Sequence, residues 1–199
     1  MGFIETSKPS WRIPYDDEQA VGLLEQALDK VFSAPNIQNI LIICVGTDRS
    51  TGDAFGPIVG TQLTQGAPMP YVQVKGTLEN PVHAVNLSST LEEVRNSYSH
   101  TPFILAIDAC LGRFDHVGHI TLEPGPLRPG AGVKKNLPEF GDMTLTGVVN
   151  VSGFMEYFVL QNTRLGIVMK MSEIVVQSLK NSLWKFQIRK NMSSSLHTS

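Results

Sequence analysis

The sequence predicts an α/β protein, a three-layer α/β/α arrangement around a mostly parallel sheet. Three observations lead there. Continuous apolar runs, NILIICVG at 39–46 and FILAI at 103–107, have the pattern of strands buried on both faces. Stretches of helical period alternate with these runs, which places helices over both faces of a sheet. Parallel strands joined this way connect by right-handed crossovers. With 42% hydrophobic and 17% charged residues, 199 residues supply an ordinary globular core. A chain of this length reads as one domain. Its expected parts are an N-terminal arm at 1–16, an α/β core at 17–191 and a flexible tail at 192–199.

The arm carries Trp11, Pro14 and Tyr15 and is expected to pack onto the core. Residues 17–32 predict an amphipathic helix, with Val21, Leu24, Ala27, Leu28 and Val31 at helical spacing. Its acidic start suits the helix dipole. Strands are expected at 39–46, 71–75, 103–108 and 118–122, with a fifth around 147–151. Helices are expected after 54, at 81–97, at 152–162 and at 166–190. The last shows a stripe of Val168, Met171, Val175, Leu179 and Leu183, and Lys185, Arg189 and Lys190 lie where cations favour a helix C-terminus. Between strands, 123–142 is a long Pro/Gly-rich loop of the kind that is functional or disordered.

Charge and cysteine usage narrow the function. A net charge of −2 provides no basic field to recruit nucleic acid or an anionic membrane. No run of about 18 apolar residues reads as a membrane span. Two isolated cysteines in apolar runs, Cys44 and Cys110, fit a reducing compartment better than a disulfide scaffold. No apolar segment follows a basic start, so no secretory signal is read. The expected location is the cytoplasm or a compartment derived from it.

In open α/β sheets, sites form beyond the carboxyl ends of the strands. The first long strand run is followed by GTDRSTGDAFGP at 46–57, and the third ends in Ala106-Ile107-Asp108-Ala109-Cys110. Asp53 and Asp108 therefore fall at strand ends expected to be adjacent. Asp108 follows five apolar residues, and desolvation there raises a carboxyl pKa. Two carboxyls in one crevice share a proton, one serving as base on water and the other as acid. The same pair also suits a divalent metal. Taken singly, Asp53 reads equally as a helix N-cap and Asp108 as a turn or cap residue. The glycine-rich loop lacks the phosphate-binding spacings, and Asp48 and Asp53 would repel a phosphate. Pro129-Gly130-Ala131-Gly132-Val133-Lys134-Lys135 reads either as a flap or anion-binding nest over the crevice or as a solvated loop. Asp48, Gly130, Gly132, Lys134 and Thr146 are the candidate substrate-binding residues. Cys110 and Thr144 are read as structural, and the histidines show no ligand spacing.

These motifs carry a resemblance. GTDRSTGDAFGP, IDACLG and PGAGVKKNLPEFGDMTLTGVVNVSG resemble the spore protein YyaC family, the DUF1256-type sporulation proteins, over about residues 20–190. That family is related to the spore germination protease, an aspartate-dependent endopeptidase with a fold like the hydrogenase-maturation proteases. Thr51-Gly52-Asp53-Ala54-Phe55-Gly56-Pro57 resembles the protease's Thr-Pro-Asp-Ala-Leu-Gly-Pro segment, and Ala106-Ile107-Asp108-Ala109-Cys110 resembles its Ala-Ile-Asp-Ala-Leu. Pro129-Gly130-Ala131-Gly132-Val133 resembles its Pro-Gly-Ser-Gly-Val. The resemblance implies that Asp53 and Asp108 are the catalytic acids of a sporulation-associated peptidase. It further implies a protein or peptide substrate, a spore protein among the candidates, and no required cofactor. The alternatives are a non-catalytic spore interaction protein that keeps the fold, and a metal-binding maturation-type protease. Against the last, the maturation proteases use a later histidine, and this chain has none between 120 and 196.

Overall fold

The computed structural model describes residues 10–129 and 137–195, the last three by backbone alone. Its elements follow the expected alternation. They are β1 (Trp11–Pro14), α1 (Ala20–Phe32), β2 (Ile40–Cys44), α2 (Phe55–Thr64), β3 (Val72–Lys75), α3 (Leu87–Ser97), β4 (Phe103–Gly112), β5 (His119–Pro124), β6 (Met143–Val151), α4 (Glu156–Gln161) and α5 (Leu165–Ser195). The strands form one six-stranded sheet in the order β1-β5-β6-β4-β2-β3. β3, β2, β4 and β6 run parallel, while β5 and β1 add antiparallel at one side.

Burial explains the central strands. All five residues of β2 are buried, because helices or loops cover both of its faces. On one face Ile40, Ile42, Leu105, Ile107, Leu122 and Leu145 join α1, α2 and α5 in the main core. On the other, Leu41, Ile43 and Ala106 pack under Leu87, Leu91 and Val94 of α3, with Leu127 and Phe140 from the long loop. α5 lies along α1. The Ser178 and Ser182 hydroxyls donate to the Val21 and Glu25 carbonyls at 3.0 and 3.1 Å, and Lys185 reaches Glu25 and Asp29 at 2.6 Å each. No helix among the described residues is long and apolar enough to cross a membrane.

Several boundaries differ from expectation for local reasons. The arm contains an edge strand, with Trp11 opposite Leu122 and Ile13 opposite Ile120. α1 starts at Ala20, since Asp17 closes a turn by accepting from the Gln19 amide at 2.7 Å, so the acidic residues precede the helix. α3 starts at Leu87 because Val82 bridges to Val45 and Asn86 ties down the turn before it. α5 continues through Ser195 into the segment expected to fray.

Candidate active site

Asp108 lies within β4, beside Thr146 of β6 on one side. On the other side the Val45 amide, just past β2, donates to the Ile107 carbonyl at 2.7 Å. From Val45 the chain turns at Gly46, whose amide donates to the Val82 carbonyl at 2.8 Å. Gly46 has φ +145°, and a Cβ there would lie 2.0 Å from the Asp53 carbonyl oxygen. Only glycine allows the returning loop to close so tightly. The Thr47 amide then donates to that same carbonyl at 3.2 Å. The loop thus brings Asp53 back to the end of β2, one strand from Asp108.

A second brace holds the loop from outside. The Gly52 amide donates to the Leu160 carbonyl of α4 at 2.9 Å, and a Cβ on Gly52 would meet the Leu160 side chain at 2.8 Å. Asn150, at the end of β6, donates to the Val159 carbonyl at 3.3 Å and to Thr163 Oγ1 at 3.2 Å. Asp53 does not cap α2. The residue at the N-cap of α2 is Ala54, and no side chain caps that end.

The two carboxyls are electrostatically unequal. Burial pushes Asp108 from its ordinary 3.8 up to about 8, against the Ala109 amide, which donates to Oδ1 at 2.8 Å and favours the anion. Asp53 is close enough that its own charge raises Asp108 further. Asp53 is also raised by burial, but less far. The buried Ser50 hydroxyl closes no hydrogen bond of good geometry, yet leans toward the Asp53 carboxylate and favours its ionised form. Asp108 is thus the carboxyl that keeps its proton longer as pH rises.

The other candidates divide. Thr146 stands beside Asp108, and its hydroxyl lies against the Cys110 thiol. Burial pushes that thiol up to about 11. Asp48 is exposed and accepts from the Thr47 hydroxyl at 3.5 Å. Thr144 is buried and donates to the Gly125 carbonyl at 2.8 Å. Gly130, Gly132 and Lys134 lie outside the described residues. Ser50 and the α4 brace were not foreseen: Ser50 lies inside GTDRSTGDAFGP, but its place beside Asp53 depends on how that loop folds. A groove of about 320 Å³ beneath α3, walled by Leu91, Val94, Tyr98 and Phe140, takes no residue from the pair.

Two carboxylates are the start of a metal site, but no group of three or more His, Cys, Asp or Glu among the described residues is placed to hold an ion. The donor set does not fit the metal of the maturation-type proteases.

A family model described as a protein of unknown function, DUF1256, matches residues 12–178. The chain belongs to the DUF1256 family. The YyaC protein of Bacillus subtilis strain 168, titled uncharacterized, is 48% identical over 162 residues, covering 81% of this chain and 76% of that protein. Among solved structures, the NiFe hydrogenase maturation protease HycI from Thermococcus kodakarensis KOD1 aligns with a TM-score of 0.48 at 17% identity, over 77% of this chain and 99% of that one. The match to the DUF1256 model spans Asp53, Asp108, Asn150 and Thr163, and so includes both acids and their brace.

Proposed function

We propose that this protein is a sporulation-associated peptidase that hydrolyses peptide bonds with Asp53 and Asp108. The observation that carries the reading is one carboxyl that keeps its proton beside a second that ionises more easily, where β2 ends against the middle of β4. Asp53, as carboxylate, takes a proton from water as the oxygen adds to the scissile carbonyl carbon. Asp108 gives its proton to the carbonyl oxygen. That proton and the one on Asp53 then pass to the leaving nitrogen and back to Asp108 as the C–N bond breaks. Both acids end as they began, and no metal takes part. Incubation with spore-core proteins tests the reading. Cleavage is expected with the wild type and lost with Asp53→Asn or Asp108→Asn, both still folded by circular dichroism. Full cleavage by both variants would sink it.

A second reading, an interaction protein without catalysis, has one observation in its favour. α4 buries none of its residues, and Phe154, Tyr157 and Phe158 are 86, 66 and 53% exposed. It gains if the wild type leaves spore-core proteins intact yet retains one that Phe154→Ser with Phe158→Ser releases.

A further inference from the structure

The sheet face opposite the main core carries a polar line that the acid pair alone does not explain. Asp108 is in register with Thr146, Thr146 with Thr121, and Thr121 with Arg12, so four side chains form one row across β4, β6, β5 and β1. They face away from the main core, because their strand neighbours Ile107, Leu145, Leu122 and Ile13 all belong to it. The cluster under α3 takes no residue from β5 or β6, so no described apolar packing covers this half of the face. An antiparallel margin open to water would show polar residues here anyway, but exposed ones. Thr121 is instead only 8% exposed and Thr144 only 5%, while Arg12 at the far end is open. Along the row, exposure thus rises from Thr121 to Arg12.

Arg12 donates to His116 Nε2 at 3.3 Å and has no carboxylate partner among the described residues. From Asp108 to Arg12 is three strand spacings, about 14 Å, which an extended chain crosses in about four residues. Glu123 is exposed one row away, opposite Thr144, and disfavours a second negative charge there.

We propose that this row is a binding track for an extended polypeptide bearing a carboxylate about four residues from the bond at the acid pair, with Arg12 holding that carboxylate and Thr146 and Thr121 bonding the backbone between. The inference rests on the peptidase reading only for which bond is cut; the binding stands without it.

The test uses the full chain with Asp53→Asn and Asp108→Asn, immobilised and offered a degenerate hexapeptide mixture in free-acid and C-terminally amidated forms. Retained peptides are identified by mass spectrometry. Peptides with a single carboxylate are expected to be enriched. Arg12→Gln is expected to lower that enrichment at least tenfold, Arg12→Lys to restore part of it, and Thr146→Val to fall between. Retention from the amidated mixture assigns the carboxylate to an acidic side chain, and retention from the free-acid mixture alone assigns it to a chain terminus; either supports the track. Absence of carboxylate enrichment, or enrichment unchanged by Arg12→Gln, overturns it. Retained peptides that the wild type leaves uncut would refute the peptidase reading and keep the track. Cleavage by the wild type without any acidic preference would do the reverse.

Discussion

Replacing Asp108 with asparagine tests the protonated carboxyl without any knowledge of substrate. In the folded chain Asp108 titrates at about 8, against an ordinary 3.8. Between those values the folded state holds a proton that the unfolded state has lost. Stability therefore falls as pH rises through that window, by up to about 1.4 kcal/mol per unit from this group. Between pH 5 and pH 8 the limit is about 4 kcal/mol by the same linkage. Asp108 is only partly buried, and solvent screening reduces the expected loss to about 2 kcal/mol. Asparagine has a similar shape and no such titration. Urea unfolding of both proteins at pH 5, 6, 7 and 8 isolates the effect, because every other group is shared. The stability of Asp108→Asn relative to wild type should climb steadily with pH. A difference flat to within about 0.5 kcal/mol over that range would mean that Asp108 ionises like a free carboxyl. The acid role assigned to it would then fail.

Other consequences are open to direct measurement. Because Asp53 must be ionised and Asp108 protonated, kcat/KM on a cleaved spore protein should fall above about pH 8 and again at acid pH as Asp53 takes up its proton; a profile flat from pH 7 to 10 contradicts the assignment. Gly46→Ala places a Cβ 2.0 Å from the Asp53 carbonyl at φ +145°, so the loop must move, and cleavage should be lost in a variant that also melts earlier; wild-type activity would show that the turn does not set Asp53. With its thiol at about 11, Cys110 should react with iodoacetamide at pH 8 about a hundredfold more slowly than a free cysteine, and buried Cys44 more slowly still; rapid labelling of either would show that the crevice wall is open.

The sheet was legible because its central strands are buried on both faces and so appear as unbroken apolar runs; β2 and the first half of β4 are the clearest. β1 was hidden, being four residues long, ending in proline and holding its place only by register with β5. Helix starts were misplaced where acidic or apolar residues are used in turns, as with Asp17 before α1 and Val82 before α3. The pairing of Asp53 with Asp108 was suggested by strand ends and by resemblance; Asp108 in fact lies mid-strand, because β4 runs on to Gly112 beside β6, and it is β2 that ends next to it. The apolar run before Asp108 already marked it as the desolvated carboxyl; that Asp53 is raised as well was not legible, because it depends on how its loop folds. Arg12 and Thr121 were missed for a related reason. Their relation to Asp108 exists only through cross-strand register, which crosses more than ninety residues of sequence between Arg12 and Asp108.

The two acids are the same residue type, so their difference comes from position. Asp108 belongs to a central strand, where Thr146 lies on one side and Val45 on the other, and burial there raises its pKa the further of the two. Asp53 belongs to a loop beyond the sheet, where a nearby hydroxyl favours its charge. Exchanging their surroundings would exchange their roles, as pKa tuning by environment requires. The loop that provides Asp53's surroundings is held by backbone contacts at Gly46 and Gly52, neither of which contributes a side chain. The chemistry proposed for this crevice therefore depends as much on two glycines that permit close approach as on the two carboxyls they bring together.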